Sequence, residues 1–339
     1  MSSEVTPSWL DNNFLQTALG EDVAKFEAKS LGDSKDFFTS TLYRAVVELK
    51  SGKKEYLIIK KLNTNEGDGL SVSDSSMFDR EMHMYGIVMP KLAALLEKAF
   101  PGMEPIAPKH FYSSSGVIVL EDLSVSGFKM LDRIEGLNLQ QTMEVMKMLG
   151  RFHGASVILY EEDPDCFNPY LKSLFTERPI RELQKKYYIN WPGFGERYSK
   201  KLREMAVHMQ EMNRNASRRQ ESRFNVLTHD DVWVCNLMFR EPHGEYHKSL
   251  HETLVALGYK KELPTLEDVL EEYKKSSSYG FVVSVVYLPA NYATADIDIP
   301  MFDPDAPPVG REIYEGSKYR MVMQELFRDF EKLGAFSVD

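Results

Sequence analysis

Alternating apolar and polar positions dominate the first third of the chain. Residues 42–50 and 55–62 are rich in apolar and β-branched side chains, and Ser51 and Gly52 lie between them. This pattern predicts a β-hairpin. Residues 116–128 open with a further apolar run and end in Ser and Gly, which predicts a strand followed by a loop.

Helical spacing replaces this alternation later in the chain. Apolar residues and one glutamate recur at i, i+3, i+4 and i+7 within residues 77–100, and Pro90 is expected to divide this stretch into two helices. Further helices are predicted over 138–160, 199–222 and 319–334. Strands followed by helices predict an α+β fold of two lobes. We expect a small antiparallel-sheet lobe at 1–123 and a larger, mostly helical lobe at 124–339.

Composition and charge narrow the class of protein. The 339 residues carry a formal charge of −10, which argues against general binding to nucleic acid or a membrane surface. Two cysteines do not support a disulfide framework. The longest apolar stretch, residues 280–290, is shorter than the roughly 20 residues of a membrane span. The first residues lack a secretion signal, so we expect a cytoplasmic protein.

The segment 228–239 carries the strongest candidate chemistry. His229, Asp231 and Asn236 have the spacing H-x-D-x-x-x-x-N, between two short apolar runs. Kinase catalytic loops use this spacing to present an aspartate to the acceptor hydroxyl and an asparagine to a metal ion. The segment therefore predicts a catalytic loop, with Asp231 as the catalytic residue and Asn236 as a metal ligand.

A lysine and a glutamate in the first lobe match a further part of a kinase site, the ion pair beside the ATP phosphates. Lys60 lies near the end of the second hairpin strand, and strand alternation turns Lys61 to the opposite face. Glu81 occupies the apolar face formed by Phe78, Met82 and Tyr85, which is an unusual place for a charge. An ion pair between Lys60 and Glu81 would explain this placement, and such a pair recurs in kinases.

These segments together resemble the ecdysteroid kinase-like family, in the choline kinase and aminoglycoside phosphotransferase superfamily. The resemblance rests on the segments LYRAVVEL, LIIKKL, FDREMHMY, VIVLEDLS, LGRFHGAS and VLTHDDVWVCNLMF. It implies a protein-kinase-like fold that uses ATP and Mg²⁺. Lys60 would contact the ATP phosphates with Glu81 as its partner, and backbone groups near Glu121 and Leu123 would meet adenine. His153 matches a family histidine for which we expect a structural role.

The chain departs from the family pattern at and after the predicted loop. Asp230 replaces the usual glycine of H-G-D. After Arg240 the family continues with a strand ending in Asp-Phe-Gln, whose aspartate is the second metal ligand. Here no aspartate occurs between Asn236 and Asp268, and residues 249–257 have helical spacing instead. Glu241 and Glu245 follow the loop too closely to replace that strand. The phosphate-covering turn is also weak, with Gly32 as the single glycine near residues 34–39.

Two functions remain open at this point. The first is an ATP-dependent phosphotransferase, impaired in Mg²⁺ binding, that acts on a hydroxyl of a hydrophobic, steroid-like small molecule. The second is a catalytically inactive kinase-fold binding protein or a truncated isoform. A zinc site at His243, His247 and His251 is a weaker alternative, because Gly244 disfavours a helix there and a solvated histidine face explains the spacing better.

Overall fold

The chain is described by a computed structural model over residues 6–31, 40–63, 72–132, 135–171, 200, 224–229, 237–238, 246–292 and 316–336. Its residues form two compact units. The first comprises Met1–Asp132, Gly136–Tyr170 and Val226–Lys261, and the second Arg133–Glu135, Leu171–Asn225 and Glu262–Asp339. The predicted lobe boundary at residue 123 stays a prediction.

An antiparallel sheet of five strands forms the start of the first unit. Helix α1 (Asn12–Leu19) precedes it, and the strands are β1 (Val23–Ser30), β2 (Ser40–Leu49), β3 (Lys54–Leu62), β4 (His110–Ser114) and β5 (Val117–Glu121). Their spatial order is β1-β2-β3-β5-β4, so β3 lies at the centre between β2 and β5. The predicted hairpin is confirmed as β2 and β3, which pair from Ser40 with Leu62 to Glu48 with Lys54.

Strand alternation gives the sheet two apolar faces. One face packs with α1 around a cluster that includes Leu15, Leu57 and Ile59, all of them fully buried. The other face carries Leu62 and Ile118, which cluster with Phe78 of the helix that follows β3. Lys60 is directly opposite Ile118 in the β3–β5 register, so its side chain belongs to this second face.

The segment after β3 is a continuous helix with a widened turn. Helix α2 (Val72–His83) passes into a π-turn (Met84–Val88) and then into α3 (Met89–Ala99). The Met89 N–H donates to the Met84 carbonyl, five residues back. Pro90 occupies the first turn of α3, where a helix needs no N–H donor. The predicted division at Pro90 thus takes the form of a π-turn within a continuous helix and not of two separate helices.

Two helices of the first unit pack at very close range. Helix α4 (Leu139–Glu162) begins with a capping box between Asn138 and Gln141. Helix α5 (Tyr246–Ala256) lies along it, and a Cβ atom added to Gly150 would stand 2.5 Å from the Tyr246 carbonyl oxygen. Gly154 meets Thr253 at a similarly short 2.9 Å. Both glycines are therefore required for the approach of α5.

Three described helices lie in the second unit: α6 (Leu266–Lys275), α7 (Ser277–Tyr292) and α8 (Ser317–Lys332). Helices α7 and α8 share an aromatic core in which the Phe281 ring lies 5.0 Å from that of Phe327 and 4.7 Å from that of Phe336. Helix α7 contains the apolar stretch noted in the sequence. Within the described ranges, no helix combines the length and apolar character that a membrane crossing requires.

The predicted α+β class is confirmed by the five-stranded antiparallel sheet and the helices that follow it. Helices predicted at 138–160, 249–257 and 319–334 are present as α4, α5 and α8. The helix predicted at 199–222 lies outside the described residues, apart from residue 200. Strands β1 and β4 were not predicted.

Close packing of α5 on α4 predicts opposite effects for two glycine substitutions. Gly150→Ala should destabilise the fold by about 1–3 kcal/mol, because the neighbouring Tyr246 carbonyl is backbone and cannot rotate away. Gly280→Ala is the matched control, since its added Cβ would lie 3.5 Å from Phe330, an ordinary contact. The free energy of unfolding of Gly280→Ala should rise by up to about 1 kcal/mol, because alanine has a higher helix propensity than glycine. Urea unfolding followed by circular dichroism measures both, and a neutral Gly150→Ala would contradict the packing.

Candidate active site

Lys60 and Glu81 form a two-point ion pair between the central strand and α2. The Lys60 Nζ atom lies 2.8 Å from Glu81 Oε1 and 2.7 Å from Oε2. The two side chains are 24% and 30% exposed, so the pair is partly shielded from water and still open to a ligand. The structure therefore brings these two predicted site residues together.

Apolar contacts of α2 hold Glu81 in this position. Phe78 is buried against the sheet, its ring centroid is 5.8 Å from Lys60 Nζ, and Tyr85 packs on the same cluster. Burial, with a smaller contribution from the negative charge of Glu81, raises the pKa of Tyr85 to about 12. Lys61 points to the opposite face, where its Nζ lies 5.7 Å from the Trp9 ring centroid. The predicted alternation of the two lysines is thus observed.

The segment after β5 is fixed by a buried aspartate. Asp122 is 4% exposed, and its Oδ2 lies 2.7 Å from Arg44 Nε on β2. The Nε–H is not aligned for a hydrogen bond, so this contact is an ion pair without one. Asp122 Oδ1 also accepts hydrogen bonds from the Ser124 N–H at 3.0 Å and the Ser124 hydroxyl at 2.6 Å. A short 3₁₀ turn, Leu123–Ser126, follows.

The two predicted adenine-contacting residues flank this aspartate. Glu121 ends β5, and its N–H donates to the Lys109 carbonyl at 2.9 Å. Its carboxylate accepts the Lys109 N–H at 3.2 Å, so the side chain serves the sheet edge. The Leu123 carbonyl accepts from the Phe128 N–H at 3.2 Å. These hydrogen bonds hold the backbone on both sides of Asp122 in place.

Helix α4 contacts the chain on both sides of the predicted catalytic loop. Before the loop, the Leu227 N–H donates to Ser156 Oγ at 3.0 Å, and that hydroxyl donates to the His153 carbonyl at 2.8 Å. After the loop, Tyr246 places its hydroxyl 2.9 Å from His153 Nδ1. His153 and Ser156 are three residues apart, on one face of α4. One helix face thus fixes both ends of residues 228–245.

His153 is neutral at physiological pH. Its burial, together with a smaller effect of the nearby His229, lowers the pKa of His153 from 6.5 to about 4. Burial raises the pKa of Tyr246 to about 12, so its hydroxyl keeps its proton. The His153–Tyr246 contact is therefore a hydrogen bond between two uncharged groups. Within the described part of the chain, His153 Nε2 is buried and has no hydrogen-bond partner.

Several predicted site residues lie outside the described part of the chain. These are Asp231, Asn236 and residues 34–39, and Asp230, Glu241 and Glu245 near the predicted loop also lie outside. Their positions relative to Lys60 stay predictions. His243 of the alternative zinc site also lies outside, whereas His247 and His251 lie side by side on α5 with ring centroids 6.1 Å apart. No group of three metal-binding side chains occurs among the residues that the structure describes.

The sequence patterns assigned no role to Arg44 or Ser156, although both residues make contacts that support the site. Arg44 pairs with Asp122 in the segment after β5, and Ser156 contacts the chain before the predicted loop. Ser156 is almost fully buried at 2% exposure, among apolar residues of α4. A serine within an apolar helical run is the signal that could have identified it, since a buried hydroxyl needs a partner. Arg44 carries no comparable signal.

Comparison with known families gives one match. The sequence model of the Ecdysteroid kinase-like family matches residues 34–250, more than half of the chain. The match includes Lys60, Glu81, the segment after β5 and the predicted catalytic loop, and it ends within α5. No curated protein matches the chain.

The low pKa of His153 predicts a loss of stability in acid. The unfolded chain takes up this proton near pH 6.5 and the folded protein only near pH 4. The stabilisation that comes from keeping His153 neutral is complete above pH 6.5 and is lost as the pH falls to 4. About 2.5 pKa units correspond to about 3 kcal/mol. Between pH 7 and 4, the free energy of unfolding should fall by about that much more in the native protein than in His153→Gln.

A second variant separates the two causes of this pKa. His229→Gln removes the smaller one and so raises the folded-state pKa of His153 slightly. The acid loss should begin at the same pH, near 6.5, and persist with a smaller total. Urea unfolding at half-unit pH steps measures all three proteins. Parallel pH profiles for the native protein and His153→Gln would contradict the assignment.

Proposed function

Because the chain belongs to the Ecdysteroid kinase-like family, we propose that it binds ATP and acts as a kinase-like phosphotransferase on a small molecule. The family lies within the protein-kinase-like superfamily. The observation that carries this proposal is the two-point contact of Lys60 with Glu81, at 2.8 and 2.7 Å. A lysine held in this way on a central strand is the phosphate-contacting part of a kinase site.

Lys60 would supply a fixed positive charge to the phosphates. Glu81 holds the ammonium group from the α2 side, which limits its rotamers before ATP arrives. A pre-positioned charge stabilises the phosphates without reorganisation when the reaction occurs. The rigid backbone between Glu121 and Leu123 would face adenine, as the family pattern implies.

Asp231 would act on the acceptor. The acceptor hydroxyl oxygen forms a bond to the γ-phosphorus as the bond from that phosphorus to the bridging oxygen of ADP breaks. The hydroxyl proton passes to the Asp231 carboxylate, and ADP leaves with the bridging oxygen. The anchors at Leu227 and Tyr246 support this role, because both ends of the loop are fixed by α4.

Mg²⁺ would be held poorly. When bound, this ion neutralises charge on the transferred phosphoryl group, and it prefers carboxylate oxygens in a near-octahedral arrangement. Asn236 offers one neutral oxygen. The first described element after the predicted loop is helix α5, where the family pattern has the strand with the second aspartate. We therefore propose impaired transfer, since removal of a single stabilising donor typically costs about 10²- to 10³-fold in rate.

This same observation favours a second candidate. If the chain lacks the strand with the second metal-binding aspartate, it functions as a catalytically inactive binding protein that retains ATP. The ligand in either case would be a hydrophobic small molecule with a hydroxyl group, such as a steroid-like alcohol. Measured transfer of phosphate from ATP to such an alcohol distinguishes the two functions.

Thermal melts test nucleotide and metal binding together. We expect ATP to raise the melting temperature of the native protein. Lys60, Glu81 and the segment after β5 do not depend on the region after Arg240, where the sequence departs from the family pattern. Mg²⁺ should add little to the effect of ATP. A ligand at 100 times its Kd stabilises a fold by roughly 2.7 kcal/mol, which a melt detects. The four conditions are no ligand, ATP, Mg²⁺ and both, at one protein concentration.

Lys60→Met is the control for this experiment and should lose most of the ATP effect. A large additional stabilisation by Mg²⁺ would overturn the proposed impairment. It would show that a second acidic ligand exists, and Glu241 and Glu245 would be the first residues to replace. An unchanged ATP effect in Lys60→Met would overturn the phosphate-binding role itself.

Asp231→Ala tests the catalytic assignment. Any transfer to a steroid alcohol that the native protein supports should fall below detection, because the carboxylate assigned to take the proton has been removed. The ATP-induced shift in melting temperature should persist, since this residue is assigned to the acceptor and not to the nucleotide. Product formation is measured with γ-labelled ATP. Equal transfer by Asp231→Ala and the native protein would remove Asp231 from the mechanism.

A further inference from the structure

The C-terminal end of α2 is held by a tyrosine from a distant part of the chain. Tyr170 closes a 3₁₀ segment, Pro164–Tyr170, that follows α4. Its hydroxyl donates to the Arg80 carbonyl at 3.1 Å and lies 3.0 Å from His83 Nδ1. A phenol has one proton to donate, so His83 Nδ1 is the donor in the second contact. Burial raises the pKa of Tyr170, which keeps that proton in place at neutral pH.

This contact lies directly beside the Lys60–Glu81 pair. Arg80 is the neighbour of Glu81, so the Tyr170 hydroxyl binds the backbone next to the glutamate. The Tyr170 and His83 rings also pack, with centroids 5.6 Å apart. A second tie connects the same two regions, since Lys91 of α3 pairs with Asp163 at the end of α4. The helix that carries Glu81 is therefore attached to the chain after α4.

The π-turn next to α2 makes the rotational register of this helix depend on the Tyr170 contact. Residues Met84–Val88 follow α2 immediately, and Gly86 within them lies against β4, where its Cβ position is 3.4 Å from Ser113 Oγ. A π-turn contains one more residue than the α-helical turn it replaces. Conversion of this turn to α-helical bonding would rotate α2 by roughly 100° relative to α3. That rotation would carry Glu81 away from Lys60, whereas Tyr170 binds α2 in the observed register.

We propose that Tyr170 is a positioning residue for ATP: its hydroxyl holds the Arg80 carbonyl and so keeps Glu81 on Lys60. This role rests on the proposed function, because it acts through the phosphate-contacting lysine. Tyr170 need not touch the nucleotide. Its effect should be confined to ligands that carry phosphates, since adenine is assigned to the segment after β5.

Tyr170→Phe tests this role, because it removes the hydroxyl and keeps the ring. We expect ATP to bind about fivefold more weakly, the effect of losing about one net hydrogen bond. Adenosine should bind with unchanged affinity. Isothermal titration calorimetry measures both ligands. Tyr112→Phe is the matched control, because Tyr112 packs on the α1 side of the sheet, and it should leave both affinities unchanged.

A double-mutant cycle with Glu81→Gln separates positioning from a general structural effect. If Tyr170 acts through Glu81, Tyr170→Phe should change ATP affinity less than about 1.5-fold in the Glu81→Gln background. An equal loss in both backgrounds would overturn the positioning role, as would an equal loss for adenosine. If Lys60→Met and Glu81→Gln weaken ATP binding while Tyr170→Phe does not, the positioning role alone fails. If Lys60→Met binds ATP as the native protein does, the proposed function fails and this role with it.

Discussion

The ion pair between Lys60 and Glu81 is the constraint on which the site depends. It joins the central strand of the sheet to the helix beside it, and each partner comes from an apolar surface that would otherwise exclude a charge. Partial burial strengthens the attraction between the two groups, while the remaining exposure leaves room for an anion to share the lysine. The pair therefore joins two elements of the first unit and keeps a partly exposed positive charge between them.

Three separate contacts determine where α2 lies. Phe78 anchors it on the sheet, the turn at Gly86 lies against β4, and Tyr170 binds its backbone. None of these side chains needs to meet a ligand. They set the register of the helix, and the register decides whether a carboxylate stands opposite Lys60. A small set of packing contacts thus controls the electrostatics of the site.

The sequence predicted those features that depend on local pattern. The β2–β3 hairpin and α4 have clear alternation or helical spacing, and the Glu81 charge on an apolar face correctly indicated its lysine partner. Strand β1 does alternate, with the partly buried Phe26 and Ala28 between exposed charged residues, but only two apolar side chains mark this pattern. Every residue of β4 is half-buried, so β4 has no apolar period to detect. Tyr170 lies 87 residues from His83, and no local pattern links positions so far apart. The same holds for the pair of Ser156 and Leu227, 71 residues apart.

The two anchors that α4 provides also bear on how the chain tolerates changes in length. Ser156 and His153 close a segment of 18 residues, from Thr228 to Glu245, into a loop whose ends are fixed. The entropy cost of such closure grows only with the logarithm of loop length, and each doubling adds about 0.6 kcal/mol. An insertion of several tens of residues after Arg240 would therefore cost little and could leave both anchors intact. The framework that α4 provides is thus compatible with segments of quite different length between its two anchors.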